Sequence, residues 1–585
     1  MRGLSRRGFL AACGGALVGT ALPHGALGGT TLPGGTVHRR PGALTQSRPQ
    51  RDWVLDVQWL EHLIDGHPVR LRTYGGTVPG PLLQAWPGES VRILVRNHLT
   101  TYDSSAWDGN HNVPHHLNTT NLHLHGLEIV PHLFDPVGTP ERGAPMIAIE
   151  PGQERAYLFE LPDDQPPGFF WYHPHHHGST AVQVLSGMAG GFVVRGAIDE
   201  VPEIAAAREV LLVLQDIGLF PSDDEPGRWE YNPKQNAIWN TFDGKVYLGT
   251  DKQTPTDLKG GFSTGDYAVR YYLVNGQPYF RERNNPTTQG QPMPHAEQLP
   301  WPRYSLRPGE VVRFRMLNGN SDNLMPIVVE GHDLHLIALD GVNFPELRTR
   351  PAPAKALGGE PQLLLAPANR AEFLIKAGDP GRYRIVQQQQ TQQFLFSDEK
   401  IIAELVVEGA AREMELPAAL PPPTRHYPLI RDDEIGTRRE VMFSASFRNP
   451  QNPIVGMDAL ASMRVLPSPD PAQGNLYRED VVEDACVVRR GDAEEWVLRV
   501  PDSAHGGNEG HPFHVHVNSF EVISIGGVAQ EPGLIQDTVW VRQDSDVVIR
   551  MRFREWTGKS VFHCHILPHE DTGMMKNFLI EGERP

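Results

Sequence analysis

The thirteen residues HCHILPHEDTGMM, from His563 to Met575, decide how the rest of the chain is read. Cys564 is flanked by His563 and His565, with His569 five residues on and Met574 five further. A thiolate, an imidazole and a distant thioether, joined by one imidazole from elsewhere, make the ligand set of a blue-copper electron-transfer site. Neighbours along a strand point to opposite faces. His563 and His565 therefore cannot share the metal of Cys564 and should reach a second metal site on its far side. The stretch reads as a conductor between two copper centres.

The other histidines support this. With 26 among 585 residues, random placement gives roughly one HxH pair, yet five occur: His123/His125, His173/His175, His175/His177, His514/His516 and His563/His565. They fall in four clusters, two early and two late. One such pair is often only a polar strand face. Four clusters, one wrapped around a cysteine, are hard to obtain without metal.

Length predicts three or four domains, and a net charge of −17 argues against a nucleic-acid-binding surface. Of three cysteines, Cys13 lies in a segment expected to be removed and Cys564 is a ligand, so no disulfide framework exists. Cys486 is expected to be a small core residue. The N-terminus, Ser5-Arg6-Arg7-Gly8-Phe9-Leu10 followed by a Gly- and Ala-rich run, resembles a twin-arginine signal. It is too short and broken to be a membrane span, which needs roughly 20 apolar residues. Residues 1–28 are thus expected to be a signal peptide and 29–50 a flexible leader. The expectation is export through the twin-arginine translocase (Tat), to the periplasm or outside the cell.

Beyond the leader the texture is strand and turn. Val91, Ile93 and Val95 alternate with Arg92 and Arg96, Val312, Phe314 and Met316 with Arg313 and Arg315, and Ile549 and Met551 with Arg550 and Arg552. Each predicts a strand with one buried face, the arginine faces being solvated. Pro87-Gly88-Glu89 with Asn97 repeats as Pro308-Gly309-Glu310 with Asn318, and more loosely at Gly491-Asp492. Recurrence about every 200 residues points to tandem β-domains. Breaks in composition place them at 51–198, 208–410 and 429–585, with a stiff linker at 411–428.

Four stretches resemble the copper motifs of multicopper oxidases, in order and separation: Leu122-His123-Leu124-His125-Gly126, Trp171-Tyr172-His173-Pro174-His175, His511-Pro512-Phe513-His514-Val515-His516, and the opening stretch. The chain resembles the three-domain, laccase-like bacterial branch of that family. The resemblance implies an all-β fold of three tandem cupredoxin-like Greek-key β-barrel or sandwich domains and four copper ions. Type 1 copper would take His511, Cys564 and His569, with Met574 as weak axial ligand. Type 2 would take His123 and His514, and the type 3 pair His125, His173, His175, His516, His563 and His565. His176 and His177 fall outside the family pattern, and His115 and His116 are expected to face solvent.

The implied activity is one-electron oxidation of a small reductant coupled to four-electron reduction of O2 to water. Cys564 would carry electrons to its flanking histidines. Glu570, and more weakly Asp135, would relay protons. The expected reductants are phenols and aromatic amines. A cuprous, ferrous or manganous ion is the alternative, disfavoured because only 13 methionines occur, with Met457 and Met463 alone in the third-domain loop. A non-catalytic copper-binding or structural protein is the remaining alternative, and the complete ligand set speaks against it. No stable membrane span is expected.

Overall fold

The computed structural model describes residues 49–582 apart from 106–110, 113, 223–224, 232–237, 241–245, 249–268, 284–295, 354–358, 393–394, 426, 428, 446–460, 467–476 and 502–509. The signal, nearly all of the leader, and Met457 lie outside the described residues. The described chain is nearly all β, with α-helix confined to five-residue turns at Thr180–Val184, Pro202–Ala206 and Leu567–Asp571. No helix among these residues is long and apolar enough to cross a membrane.

In the N-terminal sandwich, strand Ser90–Asn97 lies between Gln50–Ile64, parallel to it, and Glu154–Glu160, antiparallel. The facing sheet runs Gly80–Ala85, Gly190–Val194, Gly168–His173, His123–His125. Val91, Ile93 and Val95 are fully buried against Leu122, Leu124, Phe170 and Tyr172 of that sheet, as a period-two strand with one core face requires. The C-terminal sandwich repeats the plan. Its five-stranded sheet, Val487–Arg489, Met575–Glu581, Gly558–Cys564, Gly510–Val515, Thr538–Arg542, carries the second pair of histidine motifs. Cys486 packs in its core, where burial pushes the thiol up to about 12.

The sequence repeat has a structural meaning. Gly88, Gly309 and Gly491 all take positive φ, and each amide donates to a carbonyl across the sheet: Pro162, Ala377 and Phe553. Asn97 and Asn318 each donate through Nδ2 to two carbonyls and accept the amide two residues on. The same turn opens each strand and, in the first two copies, the same asparagine closes it.

One expectation is corrected. Arg313 and Arg315 do not face solvent: both are buried, paired with Glu372 and with Asp199, and Arg315 also with Glu209. The segment after Gly196 folds back over this strand as Ala197–Glu200 and Pro202–Ala206 and delivers Asp199. Neither guanidinium tolerates burial unpaired. The N-terminal and middle regions also join at sheet level. Strand Trp229–Glu230 pairs with both His67–Tyr74 and Arg208–Pro221, so a 13-stranded sheet runs through both.

Candidate metal centre

Register brings the histidines together. His123 sits opposite His173 in one antiparallel pair, and His514 opposite His563 in the other. Opposed residues share a face, so each pair of strands presents an imidazole patch. The two patches meet: His123 stacks on His516 at 4.0 Å and His125 on His514 at 3.9 Å between ring centroids. Cys564, opposite Phe513, points the other way into the C-terminal core.

Hydrogen bonds fix which nitrogens face inward. The Nδ1 of His173 donates to Pro174 O at 2.8 Å, that of His514 to Asp537 O at 2.7 Å and that of His563 to Cys564 O at 3.0 Å. A neutral imidazole with its proton at Nδ1 offers a lone pair at Nε2. Nε2 of His173 and His514 has no partner, although both rings are buried. Nε2 of His563 lies 3.1 Å from both His175 Nε2 and His516 Nε2. His123 is set differently. His132 donates from Nδ1 to Val130 O at 3.1 Å, so its Nε2 must accept, from the Leu124 amide and from His123 Nδ1, each at 3.2 Å. His123 Nε2 is then left without a partner. Both nitrogens of His565 are also unpartnered.

Unsatisfied buried nitrogens cost about 1–3 kcal/mol each unless something binds them. Burial pushes His173 and His514 down to about 3, and His123, His125, His175, His516 and His565 well below the ordinary histidine range, with neighbouring imidazoles adding to the effect. They are neutral, the form that ligates metal. Nitrogens of His123/His514/His516, His123/His125/His173 and His175/His516/His563 each fall within 4.8 Å of one another. The nest fits copper by donor type and by its orphaned lone pairs.

Beside it, Cys564 Sγ lies 3.5 Å from His511 Nδ1 and 3.8 Å from His569 Nδ1, with the two nitrogens 3.2 Å apart. This is a trigonal donor set of one thiolate and two imidazoles. Met574 is buried next to it, its backbone bonded to Cys564 N and to His569 O. His569 is the one member of this thiolate triad not fully buried. Phe443 stacks on His511 at 5.4 Å.

Glu570 is fully buried, with its oxygens 3.3 Å from His175 Nδ1 and 3.2 Å from His563 Nδ1. Asp135 is not brought to the nest. It is exposed and held by Arg155, whose hydrogen bonds lower its pKa. Its neighbour Phe134 turns into the core, while Asp135 lies in a bend at the surface. A second carboxylate besides Glu570 reaches the nest: Asp537, 3.2 Å from His125 Nε2 and clamped by both arms of Arg370. His132, Asp537, Arg370 and Thr538, whose hydroxyl lies 3.3 Å from His514 Nδ1, carry no local sequence signal. His115 is a further correction: it is buried under the segment after the second copper motif rather than facing solvent.

A cupredoxin-like β fold, one thiolate triad and a facing nest of eight histidines define a copper oxidoreductase. Models of the multicopper oxidase family match residues 112–198, 250–409 and 457–584. The chain belongs to that family, whose members bind copper and use O2 to oxidise a reductant. It is 24% identical over 544 residues to a laccase of Bacillus stratosphericus (87% of this chain, 90% of that one). With the multicopper oxidase MmcO of Mycobacterium tuberculosis it shares 25% over 529 residues (87% and 83%). A Campylobacter jejuni multicopper oxidase described as a metallo-oxidase has the same fold, with TM-score 0.63 at 22% identity over 92% of this chain and 93% of that one.

Proposed function

We propose that the chain is a four-copper oxidase in which aromatic reductants are oxidised at the His569 edge and O2 is reduced to water in the histidine nest. The observation that carries this is the shared strand Gly558–Cys564: its sulfur belongs to the thiolate triad, and the histidines on either side belong to the nest. His511, Cys564 and His569, with Met574, would hold the type 1 ion. His123 and His514 would hold type 2, and His125, His173, His175, His516, His563 and His565 the type 3 pair. Copper supplies one-electron storage at these positions. The residues supply the rest. The Cys564–His563 and Cys564–His565 peptide links, with the His563 Nδ1 bond to Cys564 O, give a short covalent route between the sites. Glu570, buried between two nest imidazoles, would deliver protons. His569, the partly exposed triad member, is where a reductant makes contact.

The preference for phenols and aromatic amines over metal ions rests on the sequence, which has only 13 methionines and no methionine-rich insertion. Met463 is fully buried in the C-terminal core and offers no thioether to solvent. Relatives described as a laccase and as a metallo-oxidase leave both substrate classes within the family's range. The domain boundaries 51–198, 208–410 and 429–585, and Tat-dependent export to the periplasm or exterior, are part of the same reading.

Oxygen uptake by copper-loaded protein tests it, first with a phenol and then with cuprous ion. Uptake with the phenol is expected. The variant Cys564→Ser should lose both uptake and the blue thiolate absorption while keeping the nest copper. Persistent blue colour in that variant would overturn the assignment. Uptake with cuprous ion alone would move the substrate class to metal ions, and uptake with neither would make the chain a copper-binding protein.

A further inference from the structure

The five-residue helix Leu567–Asp571 touches all three sandwiches. Its first amide, Leu567 N, donates to Ser321 O in the middle one at 2.9 Å. Successive residues on a helix point about 100° apart, so three in a row take three directions. His569 turns to the thiolate triad, Glu570 to the nest and Asp571 to the N-terminal sandwich.

Asp571 is fully buried, and its two oxygens accept the amides of Gly178 and Ala181, each at 2.7 Å. Ala181 lies in the first turn of the helix Thr180–Val184, where amides have no partner inside the helix. Ser179, just before that turn, is of a residue type that usually caps it. Its hydroxyl instead donates to Thr119 O at 3.0 Å and makes no cap bond. The cap comes from Asp571, 390 positions away along the chain. Ala181 and Val184 also pack on Leu567, so the two short helices share an apolar contact. The capped turn follows directly on the segment of His175, whose amide is held by Asn121 Oδ1 at 2.7 Å and whose Nδ1 faces Glu570 at 3.3 Å.

On the reading that Glu570 delivers protons, we propose that Asp571 is a positioning residue for the nest: by capping the turn after His175, it holds Glu570 between His175 and His563. Neither oxygen of Glu570 makes a hydrogen bond of normal geometry. The two short bonds of its neighbour, not its own, therefore fix where it stands. The thiolate triad does not need them. Met574 donates to His569 O at 2.8 Å and accepts from Cys564 N at 3.0 Å, all within the C-terminal sandwich.

The test compares copper-loaded, full-length wild type with Asp571→Asn. Asparagine keeps the shape but turns one acceptor into a donor that faces an amide. Nest copper should leave at chelator concentrations at least tenfold lower than in wild type, the lower end of the range of about 10–100-fold for a lost outer partner. The blue absorption should not change. The pH profile of oxygen uptake should depart from wild type in the same direction as that of Glu570→Gln. Asp571→Glu keeps both acceptors on a longer arm and serves if the first variant folds poorly; its chelator midpoint should fall between the other two. Nest copper equally resistant in all three proteins would overturn the proposal. So would loss of nest and blue copper together, or a pH profile of Asp571→Asn that matches wild type while that of Glu570→Gln departs. A Glu570→Gln profile identical to wild type would instead refute proton delivery by Glu570, and the copper comparison would still decide the role of Asp571.

Discussion

The two metal centres share one strand yet are built on opposite plans. The thiolate triad is local. His511, Cys564, His569 and Met574 all come from the C-terminal sandwich, and the donors are held by backbone bonds within it. The histidine nest is assembled from the two ends of the chain, and its surrounding bonds reach into the middle as well. Asp537 contacts His125 from the N-terminal sandwich and accepts both arms of Arg370 from the middle one. The local centre requires one folded sandwich. The nest requires all three to be docked.

A variant that breaks only the docking should therefore separate them. Asp537→Asn leaves Arg370, which is fully buried, with Asp340 as its remaining carboxylate, 3.5 Å away. Removing one partner of a buried pair costs about 3–5 kcal/mol, and the retained Asp340 puts this case at the lower end. The expected result is loss of nest copper and of oxygen uptake, with the blue absorption preserved. That is the mirror image of Cys564→Ser. Loss of both centres together in Asp537→Asn would show that the triad also depends on docking.

The same contrast explains how much was legible in the sequence. Every proposed copper ligand sits in or beside an HxH or HCH cluster, so a short local pattern reveals it. The triad was readable almost complete for that reason. The groups that set the nest tautomers were not. His132 is a lone histidine seven residues beyond His125, and Asp537 precedes an ordinary apolar strand. Their roles arise from register and docking between segments up to 412 positions apart. Counting along the chain instead selected Asp135, which lies in a bend at the surface and is held there by Arg155. The arginine faces failed similarly: Arg92 is substantially exposed as expected, but Arg313 and Arg315 are covered by a segment whose return path no local pattern announces.

His132 sharpens the comparison at one imidazole. It accepts both the His123 Nδ1 proton and the Leu124 amide, and it is stacked on His123 at 5.2 Å. His132→Phe preserves the stack and removes the acceptor, leaving two buried donors unsatisfied. Loss of such an outer partner typically costs about 10–100-fold in metal affinity. Copper should leave the type 2 position first, seen as loss of its paramagnetic signal at chelator concentrations the wild type resists, while the triad stays loaded. An unchanged signal would mean that His132 only fills space.

The smallest effect is expected one step further from the metal. Burial, aided by the charge of Asp537 and opposed by Arg370, holds the Asp340 carboxyl up at about 7, against 3.8 for an ordinary aspartate. Between those values the folded chain keeps a proton that the unfolded chain releases. The contribution of this group to stability is therefore fully present below about pH 4 and is lost as pH rises through 7. Asp340→Asn, which can still accept the Arg370 amide that Asp340 accepts at 2.9 Å, should flatten the slope of the unfolding midpoint between about pH 4 and 7. The blue absorption, which depends on the local triad, should not change in either protein across that window. A midpoint slope identical in variant and wild type would show that Asp340 stays ionised in the fold, with Arg370 rather than burial deciding its charge.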